Sequence, residues 1–253
     1  MDDTFVITAM ASGEVDTAQL WQAHAAGPEG WPDVNKWTRE IPERVAELAG
    51  KALGGAGGVD PARTDCVIGS AYGSGHVAET IRARLDAGAR SSLAPESFLY
   101  FNAHGVTSLI CLRHGLRGHC ATVLGAGAGL QALAVAQRRL RLTGDGPVLC
   151  GAYELLSPAA AEARGSGPVP GWAAFLVLER AGRARERGAR ALATLGPVER
   201  FAATAPVTGD DPRATAPSAE LIAWLDDPGA AATATVTAHA GRHGYRVTAR
   251  REA

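Results

Sequence analysis

Residues 121–133, "ATVLGAGAGLQAL", decide how the chain is read. An apolar, strand-like run enters a glycine turn, and the turn opens a helix. Such a turn can hold a phosphate, because the first N–H groups of a helix lack partners and favour an anion. It can also raise a nucleophile at the helix start. A dinucleotide site needs G-x-G-x-x-G and an acid about 20 residues on. Here Gly125, Gly127 and Gly129 fall as G-x-G-x-G, and Leu130 takes the place of the third glycine. The nearest acid, Asp145, sits in the turn "TGDGP", and no G-K-[ST] loop occurs. The nucleophile reading lacks its nucleophile, since residues 125–129 are all glycine or alanine. "YGSGH" (72–76) does not fit the flanks of a G-x-S-x-G elbow. A plainer reading is that small residues let the helix pack close on the sheet.

Outward from this stretch, strands and helices alternate. Strands are expected at 4–12, 65–73, 120–124, 146–156 and 172–180, with helices at 41–53, 76–88 and 128–144. Pro42 is tolerated near a helix start. Residues 13–36 read as irregular. The segment 95–115 is aromatic first and helical from about Phe98 or Asn102. After 183–203, a short helical turn and a strand, come a helix at 218–227 and two alternating segments joined by "GRHG", a hairpin pattern. Residues 205–217 read as a linker or surface loop. Nearly continuous apolar central strands imply an α/β fold with a buried mixed sheet in layers.

The 253 residues, 46% hydrophobic, suffice for a sizeable core. With 25 basic and 26 acidic side chains, nothing points to nucleic acid or an anionic membrane. Alanine, glycine and arginine dominate and lysine is scarce, the composition of a GC-rich bacterial genome. No signal-peptide pattern opens the chain, and no run approaches about 18 apolar residues. A cytoplasmic protein without membrane insertion is the expectation. Cys66, Cys111, Cys120 and Cys150 show no C-x-x-C spacing and read as buried thiols. Cys111, His114, His119 and Cys120 look like zinc ligands on paper, but no knuckle supports them. No metal or cofactor is expected.

The run "FNAHGVTSLICLRHGLRGHCATVLGAGAGLQALAVAQRRLRLTGDGPVLCGAYELL" (101–156) resembles the central block of β-ketoacyl synthases, proteins of the thiolase-like fold. In that family an asparagine-containing helix and a G-L-(+)-G-P turn precede a strand. A nucleophilic cysteine then opens a long helix, and a strand ends in G-G-x-E, here "CGAYE" (150–154). "PGWAAFLVLERAGRARERGAR" (170–190) resembles the continuation G-E-G-A-x-x-L-V-L-E. The resemblance covers residues 65–195. Within the family the chain is most similar to chain-length factors, the silent partner subunits of type II ketosynthases, which carry glutamine for cysteine in a stretch like Q-A-G-G-L-D-A-L. Ala126 takes the nucleophile position in that comparison, and Gly127 does so when counted from the strand. Neither carries a reactive group.

The resemblance implies further expectations. Residues 1–190 correspond to a largely complete first lobe, and 191–253 to a strongly shortened second lobe packing on the same sheet. The second-lobe motifs H-G-T-x-T and N-x-x-x-G-H are absent, and Trp172 stands where the family has glutamate. His239 and His243, in "TAHAGRHG", are poor candidates for a catalytic base. "SFLYFNAHGVTS" (97–108) resembles the aromatic helix start near the subunit interface of chain-length factors. There Phe98, Leu99, Tyr100, Phe101 and Asn102 would gate a partner's acyl tunnel; the alternative is ordinary aromatic core packing. The implied function is a non-catalytic subunit of a heterodimer with a cysteine-bearing ketosynthase. It would meet acyl carrier protein through the complex during polyketide, polyene or fatty-acyl elongation. Two alternatives stand beside it. One is a free-standing acyltransferase using Cys120 or His104, although Cys120 should lie at the opposite end of its strand from the elbow. The other is a purely structural scaffold.

Overall fold

The computed structural model describes residues 4–26, 34–93, 95–143, 146–202 and 215–252. Its elements run β1 (Phe5–Val15), α1 (Ala18–Ala26), α2 (Val34–Ala56), β2 (Asp65–Ser70), α3 (Gly75–Asp86), α4 (Gly105–His114), β3 (Cys120–Leu124) and α5 (Ala128–Thr143). Then come β4 (Val148–Glu154), α6 (Pro158–Glu162), β5 (Gly171–Arg180), α7 (Ala181–Glu186), β6 (Ala193–Leu195), β7 (Glu199–Ala202), α8 (Ala216–Asp226), β8 (Thr233–Ala240) and β9 (His243–Arg251).

All nine described strands join one mixed sheet. The first five lie in the order β3-β2-β4-β5-β1. β2 is parallel to β3 and β4, while β5 runs antiparallel to both β4 and β1. The sheet continues past β1 through β6 to β9, which also pairs β7 and the whole of β8. The strands β6 to β9 thus extend the sheet that the first five strands begin.

Strand alternation explains the apolar runs. Successive side chains point to opposite faces, and both faces are covered. On β5, Ala173, Phe175 and Val177 enter a core with Val45 and Ala49 of α2 and Val106 and Ile110 of α4. Ala174, Leu176 and Leu178 enter the opposite core with Leu130, Leu133 and Leu140 of α5. That second core is closed by Leu221 and Ile222 of α8, Val236 of β8 and Val247 of β9. The C-terminal helix α8 therefore packs beside α5 on the same face of the sheet, touching β5 and β1 as well as α5. At the far edge of β5, buried Glu179 accepts from the Thr8 hydroxyl (2.6 Å) and from Arg187 Nη2 (2.6 Å). The register of β1 shifts between Ile7 and Ala9, at Thr8.

Several expectations need correction. Residues 18–26 form α1 instead of irregular chain, and α2 begins at Val34, with Pro42 inside the helix. Packing of α2 on β1 and β5 outweighs the one hydrogen bond that a proline removes. The helix expected from Phe98 or Asn102 begins at Gly105, after a 3-10 turn at Pro95–Phe98. The loop after β4 contains α6, whose first turn is capped by Ser157. Most of the expected loop at 205–217 lies outside the described residues.

Candidate functional site

The elbow between β3 and α5 is built from glycines that need their freedom. Gly125 (φ +102°) and Gly127 (φ +71°) adopt left-handed backbone, which costs glycine little. The Gly125 N–H donates to Ser70 O (3.1 Å), tying the turn to the end of β2. Gly69 on β2 admits the helix: a Cβ there would stand 2.5 Å from Ala128 O. Close helix–sheet packing is therefore one real function of the small residues.

The expected nucleophile position is occupied by shape alone. Ala126 is half-buried and Gly127 buried. The Gly127 carbonyl accepts from the Gln131 N–H (3.0 Å), and the Gln131 side-chain amide donates to Ala126 O (2.9 Å). A Cβ at Gly127 would meet Tyr245 at 3.4 Å, Ala240 at 3.5 Å and Gln131 Nε2 at 3.7 Å. The β8–β9 hairpin thus fills the space in front of Gly127. His239 neighbours Ala240 on β8, and alternation turns it to the opposite face, where it packs edge-on against Phe201 (6.0 Å). His243 is exposed at the turn. His239 is therefore turned away from Gly127.

The loop after β2 joins this end of the sheet to the aromatic segment. Buried Glu154, ending β4, accepts from the N–H groups of Ala71 (2.8 Å) and Tyr72 (3.2 Å). Ser74 Oγ donates to Phe101 O (2.6 Å). A Cβ at Gly73 would touch both Ala103 and Leu124 at 3.2 Å, so the loop, the aromatic segment and the end of β3 meet there. Gly105 lets the segment fold back over α4, since a Cβ would stand 2.6 Å from Leu99 O. Asn102 Oδ1 accepts from the His104 N–H (2.9 Å).

The aromatic segment is not core. Phe98 is 50% exposed, Leu99 62% and Phe101 49%. Phe98 and Phe101 stack at a tilt, with ring centroids 6.5 Å apart. Tyr100 is half-buried, and burial, followed by nearby Glu43 on α2, raises its phenol. Leu112 on α4 is 82% exposed and Leu124 on β3 52%. Beside them β3 pairs only β2 among the described strands, leaving an open sheet edge.

The paper zinc ligands separate. His114 Nε2 bonds Ala46 O (2.7 Å) and the His119 N–H donates to Asp65 (2.6 Å). Cys111 and Cys120 do meet, with sulfurs 3.3 Å apart. Among the described residues no group of three or more His, Cys, Asp or Glu could hold a metal ion. A network not legible in the sequence surrounds the thiols. His104 Nε2 lies 3.5 Å from Cys120 Sγ, its Nδ1 2.8 Å from Thr122 Oγ1, and Thr122 Oγ1 2.8 Å from Thr107 Oγ1. Only the topology, which lays α4 against β3, brings these residues together.

A separate cavity of about 570 Å³ opens beside Trp172 and Glu154, with Leu156, Val169, Pro170 and Ala219 in its wall. Neither Ala126 nor Gly127 lines it. No helix among the described residues is long and apolar enough to cross a membrane.

No family model and no curated protein matches the sequence. Solved structures do match. A chain of the AntDE:AntF complex, a type II polyketide synthase acyl-carrier protein with its ketosynthase bound to the hexaketide, superposes with TM-score 0.74 at 14% identity, covering all of both chains. A β-ketoacyl synthase from Burkholderia phymatum STM815 gives TM-score 0.71 at 15% identity, covering 99% of this chain and all of that one. The ishigamide ketosynthase/chain length factor gives 0.60 at 18% identity, over 80% of this chain and 64% of that chain. The fold is the α/β, thiolase-like fold of the ketosynthases.

Proposed function

We propose that the chain is a non-catalytic, chain-length-factor-like subunit of a type II ketosynthase heterodimer. The observation that carries this reading is the elbow: a strand, a glycine turn and a helix carry no reactive group at Ala126 or Gly127, and Tyr245 and Ala240 stand in front of Gly127. Acylation, decarboxylation and condensation then belong to a cysteine-bearing partner. The open edge of β3 and exposed Phe98, Leu99, Phe101, Leu112 and Leu124 support the pairing, because unpaired edges and apolar patches favour association. The solved neighbours include a ketosynthase/chain length factor and a complex of a ketosynthase with its acyl-carrier protein, and both kinds of partner are proposed here. Phe98, Leu99, Tyr100, Phe101 and Asn102 shape the end of the partner's acyl tunnel as a polyketide, polyene or fatty-acyl chain grows.

Co-expression with a cysteine-bearing ketosynthase and a carrier protein tests the proposal. A heterodimer should elute on size exclusion, and labelled malonyl and acyl thioesters should label the partner alone. Covalent label on this chain without the partner would overturn the reading. It would favour a second one, a free-standing acyltransferase, for which the specific support is the contact of Cys120 with His104. Against it, hydrogen bonding to Cys111, then burial, raises the Cys120 thiol and disfavours the nucleophilic thiolate. Enlarging or trimming Phe98 and Phe101 should change product length; unchanged length in an intact complex would reduce the role to scaffolding.

A further inference from the structure

We propose that Cys111 and Cys120 form a reversible disulfide, a modification site that ties α4 to the edge strand β3. The two sulfurs are already 3.3 Å apart, in hydrogen-bond contact, with residues on two elements that pack together. A disulfide bond holds its sulfurs about 2.05 Å apart, so closure needs the two sulfurs to approach by about 1 Å. Both residues are half-buried, so a small reagent reaches them, whereas Cys66 and Cys150 are buried. His104 supplies the second element of the site. Its Nε2 faces Cys120 at 3.5 Å, and its Nδ1 is held by Thr122. A positioned base next to a thiol is the arrangement that activates it.

The co-reactant is a low-molecular-weight disulfide. Cys120 gives its proton to His104 and its sulfur attacks one sulfur of the reagent. A mixed disulfide forms on Cys120, and one thiol leaves with a proton. Cys111 then attacks the Cys120 sulfur, the intramolecular bond forms, and the second thiol leaves with the Cys111 proton. Two protein thiols are oxidised and one disulfide is reduced to two thiols. The surroundings make the step slow at neutral pH. Cys120 is raised by its bond to Cys111 and by burial. At Cys111 the bond with Cys120 lowers the thiol, but Cys66 and burial outweigh it and leave Cys111 near 12.

The experiment is treatment of the reduced full-length chain, free of any ketosynthase, with oxidised glutathione, followed by peptide mass spectrometry. The expected product loses two hydrogens and links the Cys111 and Cys120 peptides; dithiothreitol restores the thiols. Cys111→Ser should stop at a glutathione adduct on Cys120, and Cys120→Ser should give neither adduct nor bridge. His104→Gln should slow the first step on the order of a hundredfold, the low end of what a positioned base contributes. Absence of a bridge in the wild-type chain, or a bridge through Cys66, overturns the proposal. An unchanged rate in His104→Gln overturns the role given to the imidazole. The chemistry does not depend on the heterodimer reading, and acyl labelling of the partner is a separate measurement.

Discussion

Acid should unfold this chain through one histidine. His76 opens the first turn of α3, fully buried, and neither ring nitrogen has a hydrogen-bond partner. Burial alone lowers its pKa from 6.5 to about 4, so the folded chain keeps it neutral where the unfolded chain protonates it. The sign follows from that depression: the unfolded state binds the extra proton, so stability is full above pH 6.5 and is lost as pH falls towards 4. At about 1.4 kcal/mol per pH unit, the whole window is worth about 3 kcal/mol, and about 2 kcal/mol is gone by pH 5. Urea unfolding of wild type and His76→Leu at pH 7.5 and pH 5 isolates the effect, because every other titrating group is common to both chains. The variant should match or exceed wild type at pH 7.5, since removing unpartnered buried polar atoms costs little. Its advantage should then grow by about 2 kcal/mol at pH 5. A difference that stays constant between the two pH values refutes the argument and places a solvated or partnered imidazole at position 76.

Other perturbations probe the frame of the site. Arg187→Met leaves Glu179 buried without its cation and should cost about 3 kcal/mol in denaturant unfolding. Gly69→Val drives a side chain into the Ala128 carbonyl and should cost about 2 kcal/mol, seen as a lower Tm. Leu112→Glu with Leu124→Arg should leave the circular dichroism unchanged and abolish co-elution with a cysteine-bearing ketosynthase, because both side chains are exposed on the chain alone.

What the sequence made legible was local. β3, α5 and the terminal hairpin could be bounded closely because their periodicities are uninterrupted and glycines mark their ends. The aromatic segment was legible as an unusual feature, but its exposure was not; that depends on Gly105 letting residues 99 and 100 lie against α4. α1 was missed because it buries only Leu20 and Ala23 in its described core contacts, too short a stripe to stand out. The start of α2 was missed because Pro42 imitates a first-turn proline. The thiol–imidazole network was beyond sequence reasoning: its members are 9 to 18 residues apart and meet only because α4 lies against the edge of β3.

The elbow offers a sharper test of whether chemistry or shape survives here. Gly127→Cys places sulfur at the helix start, where a thiol is normally activated. The Cβ would find ordinary contacts with Tyr245, Ala240 and Gln131, and the left-handed backbone would cost about 1–2 kcal/mol, so the variant should still fold. Yet the hairpin blocks an approaching thioester, and His239 faces Phe201 across the strand instead of the new thiol. Gly127→Cys should therefore take no acyl label from a carrier-protein thioester, alone or beside a ketosynthase. Trimming the obstruction as well, with Tyr245→Ala, should open the position to a small alkylating reagent without restoring acyl transfer, because His239 is turned towards Phe201 instead of the new thiol. Acylation of either variant would mean that this chain still completes a catalytic site, and the assignment of all chemistry to the partner would fail.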